Sequence, residues 1–154
     1  MNTPPNLTPP SELTRILHSE IPLTRAMGLI ASSWDGQTVT LTAPLEPNQN
    51  HTDTAFGGSI ASLAVLAGYS LLFLIFKDRE ISTRILVQKS AIDYLLPIDA
   101  EFSARATCPP AAELEEFLAT LKRKRRARME LTTQVFSRQV VSATHKGLYV
   151  AMVF

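Results

Sequence analysis

Cysteine is almost absent from this 154-residue chain: its one thiol is Cys108. A single cysteine permits no internal disulfide and no cysteine-based zinc site, so no metal is expected. It fits a reducing compartment, and a cytoplasmic setting is the expectation. Net charge is also lacking, because 15 Lys and Arg face 14 Asp and Glu. That balance supplies no general attraction to nucleic acid or to an anionic membrane, and neither is expected as a partner. A signal peptide is lacking too. The opening MNTPPNLTPPSELTR places four prolines where an apolar h-region would stand. Residues 1–10 read as a disordered leader and 11–154 as a single domain, with no internal repeat and no linker. With 45% hydrophobic and 19% charged residues the composition is globular. A domain of this size buries about two-thirds of its unfolded surface and folds without a disulfide or metal.

Charge disappears altogether from one long stretch, FGGSIASLAVLAGYSLLFLIF, Phe56 to Phe76. It has the length of a membrane span. Ser59, Ser62, Tyr69 and Ser70 dilute it, however, and no aromatic belt or basic flank precedes it. The segments on either side each carry one apolar face that needs cover. A helix apolar all round provides that cover as the core of a curled sheet.

Those flanking segments read as follows. Ser11 is placed to cap a short helix through SELTRILHSEI, with Leu13, Ile16 and Leu17 inward and Pro22 as its end. Asp35-Gly36 marks a hairpin. After it Val39, Leu41 and Ala43 alternate with Thr38, Thr40 and Thr42, a half-buried strand stopped by Pro44. Beyond the apolar run, ISTRILVQKSAIDYLLPIDAEFSARAT reads as two strands broken at Pro97-Ile98-Asp99. AAELEEFLATLKRK has an amphipathic helix pattern, and RARMELTTQVFSRQVVSATHKGLYVAMVF is a strand pair turning at Ser137–Gln139. The class is α+β: about six antiparallel strands around one long helix.

The N-terminus of that helix is the chemically interesting place. Amides at Gly57 and Gly58 point outward from the positive end of the helix dipole, and glycine lets a ligand approach the backbone. Such a group binds an anion or polarises a carbonyl oxygen. Asn50, His51, Asp53 and Thr54 lie just ahead of it. His51 has the imidazole chemistry for acid–base work, Asn50 has the chemistry to orient a water or a carbonyl, and Thr54 suits a helix cap.

The pattern Asn48-x-Asn50-x-x-x-Thr54-x-Phe56-Gly57-Gly58-Ser59, the apolar helix behind it and the later Gly147-Leu148-Tyr149-Val150 resemble the YiiD C-terminal thioesterase family of the hotdog superfamily. The resemblance runs from about Leu13 to the C-terminus. In that family the domain occurs alone or fused behind a GNAT-type acetyltransferase. The resemblance implies a hotdog fold, a homodimer or dimer of dimers joined edge to edge, and an acyl-CoA or acyl-carrier thioester as substrate. Coenzyme A would enter only as part of that substrate, with no other cofactor. It places the thioester at the helix N-terminus, with Thr54, Phe56, Gly57, Gly58 and Ser59 as substrate contacts and the acyl or pantetheine arm between protomers.

One departure matters. Better-known hotdog thioesterases resembling N-x-x-G-x-x-H-G-G carry an Asp or Glu about two turns into the central helix. Here Asp53 stands for the first Gly, Phe56 for the His, and Val65 near the acid, and no acidic residue occurs from Phe56 to Phe76. Catalysis would then draw on the loop, with His51 or Asp53 activating water beside Asn50, or on a partner residue such as Asp93. The alternative is a non-catalytic module that binds acyl thioesters or lipid. Lys122–Arg128 holds six basic residues in seven. It reads as a solvated helix end or as a clamp for the phosphates of coenzyme A, in which Arg126 and Arg128 share one strand face.

Overall fold

A computed structural model describes residues 6–154. The elements in chain order are α1 (Pro10–Glu20), α2 (Pro22–Ala26), β1 (Ile30–Trp34), β2 (Thr38–Ala43), a 3-10 turn (Glu46–Asn48), α3 (Gly57–Lys77), β3 (Thr83–Tyr94), β4 (Phe102–Thr107), α4 (Ala111–Lys124), β5 (Arg126–Ser137) and β6 (Val140–Val153). The six strands form one antiparallel sheet in the order β1-β2-β4-β5-β6-β3. α3 packs on β2, β3, β4, β5 and β6, so the sheet wraps the helix. This is the hotdog arrangement.

Strand alternation decides which residues meet the helix. On β5, Ala127, Met129, Leu131, Thr133 and Val135 are buried while the residues between them are exposed. β2 does the same with Val39, Leu41 and Ala43. α3 presents twelve buried residues, among them Leu63, Leu71, Leu72 and Leu74. A fully buried leucine stabilises by about 1.5–3 kcal/mol. The apolar stretch is therefore a core helix and not an anchor.

Close packing of α3 on β6 needs two glycines. Tyr149 is 1% exposed and its hydroxyl donates to the Val65 carbonyl at 2.8 Å. A Cβ built on Gly68 would collide with that hydroxyl and sit 2.6 Å from Cζ; one built on Gly147 would sit 2.7 Å from Tyr149 Cε2 and 2.9 Å from His145 Cε1. Thus the GLYV segment is a packing device that brings the sheet close to the helix.

The two sheet edges differ. β1 is covered by α1, and Thr14 Oγ1 accepts from the Ala31 amide at its bulge. β3 is the other edge, twelve residues long, and only Ile85 of it is buried. Leu86, Val87 and Tyr94 are each about half exposed. This edge leaves a long row of backbone groups unpaired within the chain.

The structure corrects several local expectations. α1 begins at Pro10 behind Pro9, with no side-chain cap, so Ser11 does not cap it. Pro22 ends α1 but also opens the short α2, and Ile16 is only partly buried. Arg125 closes α4 in the left-handed conformation at φ 59°. Of the expected leader, residues 1–5 lie outside the described residues, whereas Thr8 is buried. Its amide and hydroxyl both donate to Asp78 Oδ1, while Trp34 Nε1 donates to Oδ2 at 2.9 Å.

Candidate active site at the N-terminus of α3

The loop ahead of α3 is built by its own polar side chains. Asn50 Oδ1 accepts from the Thr52 amide at 2.8 Å, the Thr52 hydroxyl at 2.9 Å and the Thr54 amide at 3.2 Å. Asn50 Nδ2 donates to Thr54 Oγ1 at 2.9 Å, and the Asn50 amide donates to the Thr54 carbonyl at 2.8 Å. Asp53 completes the turn at φ 61°, a conformation Asp tolerates better than most residues. Asn48 is buried and ties the loop to the rest of the fold. Its Nδ2 donates to the Met27 and Pro44 carbonyls, and its carbonyl accepts from the Phe56 amide at 2.7 Å. The Ala55 amide donates to Ile98, so the chain enters α3 held on both sides.

Phe56 is the residue before the helix, with φ −63° and ψ 133°, and no side chain caps the end. Ser59 and Ile60 donate to the Phe56 carbonyl. Among the described residues, the Gly57 and Gly58 amides are left without an acceptor. The Phe56 ring, 57% exposed, folds over Gly58 where a Cβ would lie. A cleft of about 440 Å³ opens beside these amides, lined by Gly57, Gly58, Ile60, Tyr94, Leu95 and Leu96 among others. The Tyr94 hydroxyl donates to the Gly57 carbonyl at 3.0 Å. The arrangement offers two free donors at a positive helix end and an apolar trough next to them. That combination suits a carbonyl oxygen with a hydrocarbon attached. Tyr94, Leu95 and Leu96 are each at least half exposed, so one wall of the cleft faces outward along the open β3 edge.

The structure thus brings Thr54, Phe56, Gly57, Gly58 and Ser59 to one place, with Asn50 behind them. Asn50 Oδ1 and one Nδ2 hydrogen are engaged by the loop. His51 and Asp53 are exposed and, among the described residues, no hydrogen bond ties either side chain down. Asp93 pairs with Thr144 and lies next to Tyr94 on β3, so its side chain points to the other face of the sheet. Arg126 and Arg128 are also on that outer face, paired with Met152 and Val150, while Tyr94 pairs with Ala143. The two arginines therefore stand at the far end of the sheet from the Gly57–Gly58 amides of the same chain. Arg128 Nε donates to Gln88 at 2.9 Å.

Three residues of β3 and β6 were not singled out as site residues by the sequence. Tyr94 lines the cleft, and its bond to Gly57 spans 37 positions. His145 is buried on the inner face of β6, where its Nε2 lies 2.7 Å from Ser90 Oγ on β3. Burial lowers the His145 pKa below its ordinary 6.5, which favours the neutral ring. The parity of Ala143, His145, Gly147 and Tyr149 along β6 was the available signal.

Comparison with known proteins agrees with this fold. The family model described as "Putative thioesterase (yiiD_Cterm)" matches residues 10–153. A Chlorobaculum tepidum TLS protein of unknown function superposes with a TM-score of 0.88 at 30% identity, covering 93% of each chain. A Shewanella oneidensis structure described as a putative thioesterase gives 0.85 at 28% identity, covering 93% of this chain and 96% of its own. A Pseudomonas aeruginosa protein described as of unknown function and a "Probable Thioesterase" gives 0.80 at 25% identity, covering 96% and 99%.

Proposed function

The chain belongs to the thioesterase family designated yiiD_Cterm, and from that premise we propose that it hydrolyses acyl-CoA or acyl-carrier thioesters at the N-terminus of α3. The observation that carries the proposal is the pair of free Gly57 and Gly58 amides beside an apolar cleft. The thioester oxygen sits on the amides, where charge develops as the carbonyl is attacked, and the acyl chain lies against Ile60, Leu95 and Leu96. Loss of a single oxyanion donor typically costs about 10²–10³-fold in kcat.

The working unit in this reading is a homodimer joined through β3. Two copies of a twelve-residue edge running antiparallel hide its unpaired backbone and its exposed Leu86 and Val87. The same pairing supplies the missing wall of the cleft. It also brings the far end of the partner sheet alongside this end of the protomer, with the partner's Arg126 and the partner's Arg128 on the outer face, where those side chains are read as a clamp for coenzyme A phosphates lying outside the cleft. The loop of Asn50, His51 and Asp53 is read as the holder of the helix start, because four hydrogen bonds of the Asn50 side chain stay within it.

A panel of acyl-CoAs from short to long, assayed for thiol release with Cys108→Ser protein, tests the proposal. Turnover peaking at one chain length supports it and measures the cleft. The absence of any carboxylate from α3 favours one other reading, a module that binds thioesters without cleaving them. Tight acyl-CoA binding with no thiol release across the panel would decide for that reading.

A further inference from the structure

Ser90 and His145 form a polar pair that no role above employs. β3 and β6 are neighbours, with Ser90 opposite Gly147 and Ile92 opposite His145, so Ser90 and His145 are diagonal neighbours on the helix-facing side. The position of the pair along α3 can be bracketed. Tyr94, four residues from Ser90 on the same face, reaches the Gly57 carbonyl; Tyr149, four residues from His145 on the same face, reaches the Val65 carbonyl and lies against Gly68. The pair therefore stands between those levels, facing the first two turns of α3. That is the region in which the sequence lacks an acid.

Three further observations make the pair more than packing. Ser90 is exposed while His145 is 1% exposed, so the hydroxyl is presented outward on a buried imidazole. His145 Nδ1 is buried without a hydrogen-bond partner. Thr133, the residue opposite His145 on β5 and itself 0% exposed, has a hydroxyl that is equally unpartnered. Two orphaned polar atoms on directly facing side chains are costly in a stable core.

We propose that Ser90 is the nucleophile of the thioesterase, with His145 as its base. The inference rests on the thioester reading above and names the group that reading leaves open. The ring carries its proton on Nδ1, and Nε2 accepts from the Ser90 hydroxyl. Ser90 Oγ attacks the thioester carbonyl and its proton passes to Nε2. The tetrahedral intermediate collapses, the C–S bond breaks, and the departing sulfur takes the proton from Nε2, which gives a free thiol and acyl-Ser90. A water then attacks the ester and delivers a proton to Nε2. Collapse breaks the ester C–O bond, Ser90 recovers its proton, and the carboxylic acid leaves. The sum is thioester plus water to acid plus thiol.

Two readouts on the full chain test this. An alkyl fluorophosphonate, which a serine attacks at phosphorus with loss of fluoride, probes nucleophilicity without any thioester, and intact and peptide mass locate the adduct. Thiol release from the acyl-CoA panel probes the reaction. The variants are Ser90→Ala, at an exposed position, and His145→Gln, which keeps polarity without a base; if His145→Gln does not fold, Ser90→Ala decides. The expected result is an adduct on Ser90, lost in His145→Gln, with kcat down by about 10²–10⁴-fold in both variants. Turnover retained in Ser90→Ala would overturn the pair and leave the thioesterase reading standing. An adduct on Ser90 without thiol release by the unsubstituted pair would uphold the nucleophile and refute the thioester substrate. Neither adduct nor release would refute both.

Discussion

Gly68→Ala isolates the packing that sets the distance between α3 and β6. The added methyl would land on the Tyr149 hydroxyl, 2.6 Å from Cζ and 2.9 Å from Cε2. Tyr149 is 1% exposed and its ring also abuts Gly147, so it has no open space to move into. Overpacking of this kind costs about 1–3 kcal/mol. Displacing the hydroxyl from the Val65 carbonyl loses a buried hydrogen bond worth about 1 kcal/mol. Ala is favoured over Gly in a helix by about 1 kcal/mol, which offsets part of this. The net expectation is a loss of about 1–3 kcal/mol, read from urea unfolding as a lower midpoint at unchanged slope. The control is the same substitution in a Tyr149→Leu background, where the ring is gone. There the sign should reverse, with Gly68→Ala neutral or stabilising by up to about 1 kcal/mol. Equal destabilisation in both backgrounds would show that the ring is not what excludes a side chain at position 68.

Other outcomes follow from the same geometry. Light scattering should show a dimer, and Ile92→Pro, which removes an amide that points away from β6 on the β3 edge, should shift it toward monomer and cut turnover together. Arg126→Ala with Arg128→Ala should raise KM for acyl-CoA, and leave it unchanged for the acyl-N-acetylcysteamine thioester that lacks the nucleotide. His145 is depressed below 6.5 by burial, so the unfolded chain binds its proton more readily than the fold does. Its contribution to stability is present above about pH 6.5 and is lost as pH falls through the lower folded value. His145→Gln should flatten that part of a pH–stability curve measured by urea unfolding.

Much of the fold was written in short-range pattern. The uninterrupted apolar run of α3, the alternation on β2 and β5 and the turns at Asp35-Gly36 and Ser137–Gln139 are each decided within a few residues. The five-residue α2 left no such signal, because PLTRA has no period long enough to read. The tie between Thr8 and Asp78 joins residues 70 positions apart, so its donor looked like part of a loose leader. The site divided in the same way. Gly57 and Gly58 were visible because they are adjacent to a helix start. Asn50 was visible as a residue but not as the hub of its own loop, and Arg126 and Arg128 proved to be distant from the cleft of their own chain. Ser90 and His145 were invisible as a pair, since 55 positions separate them and only the β3–β6 register brings them together.

The clamp of Asp78 on Thr8 and Trp34 fixes a polarity of the whole molecule. Asp78 lies just past the C-terminal end of α3, and the Gly57 and Gly58 amides lie at the other end, about 30 Å away by the rise of a helix of that length. The chain at Thr8 is thereby moored at the pole opposite the cleft. A domain joined on that side would leave the mouth of the cleft uncovered. The helix acts as a spar, keeping attachment and chemistry at opposite ends of the protomer.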